Sequence, residues 1–216
     1  MGRPRRPLLS RDLIVTEALA LIDAEGLDAV STRRLATGLK VSGPALYNHF
    51  GTKDEIIDAA VDTVLSEVDI SAFAGLGDRG DWPGALREWA RSYRRALAAH
   101  PNIVPALAVG FGRRPNALRI ADAVFGGLVA TGWPNGQATR VGAIMRYFVT
   151  GSALGSFAAA FPDDAGLYNG AYPHLDQAHL LAEARERVDD SAFEIGLDAL
   201  LHGLAARYAQ LTAPPE

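Results

Sequence analysis

Residues 43–50, GPALYNHF, carry the most distinctive side-chain chemistry in the chain. Leu46 and Phe50 lie four apart and form the inward face of a short helix, leaving Gly43, Ala45, Tyr47, Asn48 and His49 outside. Small residues mixed with hydrogen-bonding and flat aromatic ones suit base edges and phosphates better than bulk water. Ser42 stands where an N-cap belongs, and Pro44 is tolerated in the first turn because it lacks an N–H that would be orphaned there. Other groups of reactive residues are less coherent. His174, Asp176, His179 and Glu183 include one pair a helical turn apart, but no metal signature of fixed spacing, and Glu183 with Arg187 reads as a surface i,i+4 pair. Arg87, Arg91, Arg94 and Arg95 form an outward row, which reads as a solvated face before it reads as a site for an acidic ligand. There is no glycine-rich phosphate loop, nucleophile elbow or paired-carboxylate arrangement. Cysteine is absent, which removes thiol chemistry and disulfides and agrees with a reducing cytoplasm.

The elements that must position residues 43–50 follow from periodicity. Leu35, Ala36 and Leu39 predict a helix from Thr32, capped by Ser31, with a tight turn at Lys40 and Val41. Two short helices so joined match a helix-turn-helix, whose second helix enters the major groove. Ser10 caps a longer helix striped by Ile14, Ala18, Leu21 and Ile22 and stopped at Gly26, giving a three-helix head. Thr52 to Glu55 forms a capping box that opens a further helix reaching about Val68, the mechanical link between head and body.

The run LATGLKVSGPALYNHFGTKDEII resembles the N-terminal signature of the tetracycline-repressor (TetR) family of transcription regulators, through VS, ALYNHF and the following Lys53. The resemblance covers residues 10 to 60. Matched to the family motif, Arg33 and Lys53 contact phosphates, while Ser42, Gly43, Pro44, Ala45, Tyr47, Asn48 and His49 make up the recognition face. One departure is Lys40, where such turns often carry glycine; a left-handed backbone there costs on the order of 1 kcal/mol.

Charge is unevenly divided. Residues 1–53 hold eight Lys/Arg against five Asp/Glu and residues 54–216 hold 13 against 20, so a net charge of −4 conceals a basic head and an acidic body. Arg3, Arg5 and Arg6 sit in a proline-rich arm that can follow phosphates or enter the minor groove. No apolar run of about 18 residues is present and no secretory h-region follows the basic start, so neither a membrane span nor export is expected.

The predicted fold is all-α: a basic arm over 1–9, a helix-turn-helix domain over 10–54 and a ligand-binding and dimerisation domain over 55–216. In the body, helices are expected from Pro83, over 103–109, over about 116–131, from Asn135 to about Ala160 and from Ser191 to about Leu211, with loops at 71–82 and 162–173. Small residues at Gly151, Gly155, Gly196, Ala199, Gly203 and Ala206 predict close helix packing at a two-fold interface. Trp89, Tyr93, Phe125, Met145 and Phe148, with Asn102, Tyr147 and Ser152 as polar anchors, are the candidate walls of an apolar pocket. The resemblance implies a cytoplasmic homodimeric repressor released from a palindromic DNA operator by a small molecule, needing no cofactor. A regulator answering to a protein partner is the alternative, and a helical enzyme a weaker one.

Overall fold

The computed structural model describes residues 9–109, 113–168, 170 and 172–213, so Arg3, Arg5 and Arg6 lie outside the described residues. Among the described residues there are nine α-helices and no strand. They fall into two compact units, Met1–Val68 with Arg95–Ala121, and Asp69–Arg94 with Asp122–Glu216. This division by contact differs from the functional boundary drawn at residue 54, because α4 and residues 95–121 pack with the head.

In the first unit, α1 (Arg11–Glu25) starts where the Ser10 hydroxyl accepts from the Leu13 N–H at 3.1 Å and stops at Gly26, whose φ is 85°. It buries Ile14, Val15, Ala18 and Ile22. Ser31 Oγ accepts from Arg34 N–H at 3.2 Å to open α2 (Thr32–Leu39). Lys40 then turns the chain with φ 56° and ψ 43°, the left-handed conformation whose cost the sequence flagged. The next helix, α3 (Gly43–Tyr47), has Ser42 in the N-cap position, but contrary to expectation its side chain makes no capping bond; Pro44 has no N–H to offer it. The fourth, α4 (Lys53–Ser66), opens with Thr52 Oγ1 accepting from Glu55 N–H at 3.1 Å, while Glu55 Oε2 accepts from Gly51 N–H at 2.9 Å. Helix α1 packs on α2 and α4, and α2 on α3.

The stretch expected as a helix over 103–109 is a 3-10 helix, Pro101–Val109, with Pro105 inside it. It packs on α1 and α4. Helix α5 (Trp82–Ala99) precedes it, and α6 (Pro115–Ala130) follows.

In the second unit α7 (Asn135–Ala153) ends earlier than the expected Ala160. Its last turn tightens as Leu154 N–H donates to the Gly151 carbonyl at 3.3 Å, so Gly155 lies past the helix and not inside it. A single turn, α8 (Ala165–Tyr168), interrupts the stretch expected as loop; Tyr168 is buried there and donates to the Pro162 carbonyl at 3.1 Å. Helix α9 (Arg185–Thr212) begins six residues before the Ser191 start read from the sequence. Ser191 Oγ donates back to the Val188 carbonyl at 3.0 Å, the mid-helix habit of a hydroxyl that does not cap.

The arginine row of α5 is neither simply solvated nor free for a ligand. Arg87 pairs with Asp198, Arg91 with Glu194 at 2.7 Å and Arg94 with Asp190 at 2.8 Å, a ladder whose numbers run in opposite directions along α5 and α9. Phe193 of α9 stacks on Phe148 of α7 with ring centroids 5.2 Å apart, and the Arg94 guanidinium lies 4.6 Å from the Phe193 centroid.

Candidate nucleic-acid interface

Five residues are too few for α3 to be stable alone, since the first turn fixes several dihedrals for one hydrogen bond. Burial holds it instead: Leu46 and Phe50 are 1% and 3% exposed. This anchoring turns Ser42, Pro44, Tyr47 and Asn48 to solvent, with Gly43, Ala45 and His49 half-buried beside them. Tyr47 is 56% exposed, a large surface for an aromatic ring, and no ring partner is present for it among the described residues. All seven residues taken from the sequence as a recognition face therefore lie together on one short helix and its margins.

The flanking cations are sorted by their partners. Arg34 is held by Glu25 through two hydrogen bonds of 2.5 and 2.7 Å, which keep the Glu25 carboxyl below the usual carboxylate range and raise the guanidinium. Arg33, its neighbour, is exposed, and among the described residues no carboxylate pairs with it. Lys53 is the first residue of α4, half-buried, on the other side of the recognition segment. Arg33 and Lys53 thus bracket residues 42–49 in sequence. A third cation was missed in reading the sequence: Arg11 donates to the His49 carbonyl and lies 3.8 Å from the centroid of the Phe50 ring. Nothing in its spacing announces this, because the partner is 38 residues away.

Comparison with known proteins places the chain in a family. Residues 14–60 match the family described as bacterial regulatory proteins, tetR family, and residues 74–208 match the tetracyclin repressor-like C-terminal domain. The chain belongs to the TetR family. It is 33% identical over 205 residues to the tetracycline repressor protein class A from transposon 1721 of Escherichia coli, covering 92% of each chain. A possible TetR family transcriptional regulator from Streptomyces coelicolor is similar with 33% identity and a TM-score of 0.75, over 91% of this chain and 99% of that one. ActR of the same organism, in complex with actinorhodin, is similar with 31% identity and a TM-score of 0.73, over 93% and 99%. TetR-family membership makes the chain a DNA-binding transcription regulator and not an enzyme.

The residues that tie the TetR-type head to the start of α6 were also not legible beforehand. Arg114, 5% exposed, directs Nε and Nη2 to Asp58 of α4, and Nη2 also donates to the Ala106 carbonyl at 3.2 Å. Asn116 donates to Asp62 through its backbone N–H at 2.8 Å and its amide at 2.9 Å, and Arg119 reaches the Val68 carbonyl at 3.4 Å. Arg114 and Asn116 thus hold successive turns of α4, and Arg119 holds the chain two residues past its end.

The candidate pocket residues are less unified. Trp89, Tyr93 and Met145 are buried in the second unit, with Trp89 and Tyr93 ring centroids 5.7 Å apart. Phe125 occupies the space a side chain at Gly142 would need, and Phe148 does the same at Gly196. The polar anchors do not join them. Asn102, in the first unit, donates to the carbonyls of Ile22 and Asp23 at the end of α1; Tyr147 is 69% exposed; Ser152 Oγ donates to the Val149 carbonyl. Among the described residues, Trp89 Nε1, Trp133 Nε1, Thr150 Oγ1 and His179 Nδ1 of the second unit are buried without a hydrogen-bond partner; of these residues the sequence had marked Trp89 as a pocket wall, but not Thr150 or Trp133. Of the small residues predicted to pack closely, Gly151, Gly155 and Gly203 have open space above Cα, and Ala199 and Ala206 are exposed. No helix among the described residues is long and apolar enough to cross a membrane.

Proposed function

We propose that this TetR-family regulator is a cytoplasmic, homodimeric repressor that holds a palindromic operator through Arg33, residues 42–49 and Lys53, and releases it when a small aromatic molecule with acceptor oxygens binds the body. The observation that carries the DNA half is the Tyr47 face of α3, exposed and bracketed in sequence by Arg33 and Lys53. Cations on phosphates set register, while the small, amide and aromatic groups between them meet thymine methyls and base edges.

Dimerisation is supported by an apolar surface on α7 and α9. Ile144 and Tyr147 from one, Leu154 just past its end and Ile195 from the other are between 42% and 70% exposed, and the open sites at Gly151 and Gly203 let a second backbone approach. A two-fold dimer would set two recognition helices about one DNA turn apart, roughly 34 to 36 Å. The effector half rests on Trp89 Nε1 and Thr150 Oγ1. Each buried, unpaired donor costs roughly 1–3 kcal/mol, which a ligand oxygen accepting from it would remove. That ActR, a structural neighbour, is solved in complex with actinorhodin supports a small-molecule effector here. The clamp of Arg114, Asn116 and Arg119 on α4 then supplies the route by which a shift of α6 tilts α4 and spoils the fit of both heads.

The test is a thermal-shift screen with planar, oxygen-rich aromatics, actinorhodin among them, followed by operator binding with each stabilising compound. A compound that binds the released state more tightly must weaken operator affinity. If every stabilising compound leaves operator affinity unchanged, the effector half is wrong.

A further inference from the structure

Helix α3 ends within five residues of its start, so its terminal carbonyls need partners beyond its own ladder. Leu46 O is satisfied by the N–H groups of His49 and Phe50 at 2.9 and 3.0 Å. Two residues past the helix, the His49 carbonyl accepts from the Arg11 guanidinium, which comes from the first turn of α1. The same guanidinium lies 3.8 Å from the Phe50 centroid, where a flat cation gains from the ring's negative face. A cation beside helix-terminal carbonyls also complements the helix dipole. Phe50 in turn is buried, so the ring is a fixed platform, and Ser10 fixes the turn of α1 from which Arg11 projects. Arg11 and Phe50 both line a cleft of about 730 Å3 between α1, α4 and residues 113–115.

We infer that Arg11 is a positioning residue for the recognition helix, a latch that fixes the exit of α3 against α1 and thereby the aim of Tyr47 and Asn48, and not itself a phosphate contact. The inference rests on the reading that residues 42–49 face DNA. Arg11 is exposed, but its Nη1 is engaged by the His49 carbonyl and its planar face by the Phe50 ring, whereas among the described residues no carboxylate pairs with Arg33.

The test uses the full chain with Arg11→Gln and Arg11→Lys, the duplex recovered by selection from a random pool, and a scrambled duplex of the same length. The latch predicts that Arg11→Gln weakens selected-duplex binding about tenfold, the worth of one hydrogen bond to a charged group. Binding to the scrambled duplex, which depends on phosphate contacts, stays within about twofold. Arg11→Lys, which keeps a donor and a charge but loses the planar stack, recovers part of the loss. Amide hydrogen exchange across residues 45–50 should speed up in Arg11→Gln while that of α1 and α4 does not. Equal weakening on both duplexes, with the salt slope lower by about one, would make Arg11 a phosphate contact and overturn the inference. Unchanged exchange in residues 45–50 would overturn it as well. If the wild-type chain selects no sequence at all, the DNA reading of 42–49 fails, and the exchange measurement still decides whether the latch exists.

Discussion

Lys40 illustrates what single residues contribute to this head and how far they can be read in advance. Its φ of 56° puts a side chain where glycine is at ease, in the turn that sets α3 against α2. Lys40→Gly should therefore raise stability by about 0.5–1 kcal/mol in urea unfolding, since relief of the left-handed cost outweighs the added freedom of the unfolded chain. A loss of stability would mean that the lysine side chain makes a compensating contact. The turn was legible because its neighbours carry strong cap and periodicity signals, and the type of residue at fault was visible too. Arg33 and Arg34, by contrast, are of the same type and adjacent, and only the family motif set Arg33 apart; what separates them physically is Glu25, nine residues from Arg34 on α1. Arg33→Ala and Lys53→Ala should each weaken binding to every duplex and lower the salt slope by about one, measured by fluorescence anisotropy at several salt concentrations. Arg34→Ala should instead act through stability, leaving the salt slope of the folded protein as it was.

At the scale of elements, the sequence marked starts and stops well where a cap does its work and poorly where a capping residue type does something else. Ser10, Ser31 and Thr52 all accept the expected N–H, and the three helices they open begin where predicted. The last helix, expected from Ser191, begins at Arg185, with Ser191 bonding backward inside it, and α7, expected to reach about Ala160, ends at Ala153. Pairing between helices distant in sequence was not legible at all. The ladder of α5 on α9 holds the Glu194 carboxyl below the usual range through its hydrogen bonds to Arg91, and Asp198 likewise through Arg87. A carboxylate depressed in the folded state stabilises above its unfolded pKa, near 4, and that stabilisation is lost as pH falls through the folded value. Glu194→Gln should cost at most about 1 kcal/mol at pH 7, because the pair is half-exposed, and the difference from wild type should shrink between about pH 5 and pH 3 in urea unfolding. An unchanged difference across that range would remove the ladder from the account. Packing between α7 and α9 gives a sharper test. A Cβ at Gly196 would lie 2.7 Å from the Phe148 ring, so Gly196→Ala should destabilise by roughly 1–3 kcal/mol by forcing the Phe148 and Phe193 stack apart. A neutral Gly196→Ala would show that the ring yields freely.

For the whole molecule, charge was the most useful global signal, because it confined the basic surplus to the first 53 residues of a chain whose net charge is −4. Helical class and the head were legible from periodicity and caps. The clamp of residues 114–119 on α4 was not, since its partners are more than 50 residues apart and its groups, Arg, Asn and Asp, are common surface types. If α7 and α9 form the two-fold contact, Gly203→Glu places a charge where a second backbone should approach, and sedimentation should show monomers with operator affinity reduced at least tenfold. A dimeric Gly203→Glu with unchanged affinity would move the contact elsewhere. The measurement that tests the central claim most directly is selection of bound sequences from a random duplex pool with the intact protein. The account predicts an enriched inverted repeat whose half-site centres lie one helical turn apart, roughly 34 to 36 Å, or a multiple of it, and whose enrichment is lost with Tyr47→Ala. A pool that shows no enrichment, or a single unrepeated site bound equally well by Tyr47→Ala, would contradict it.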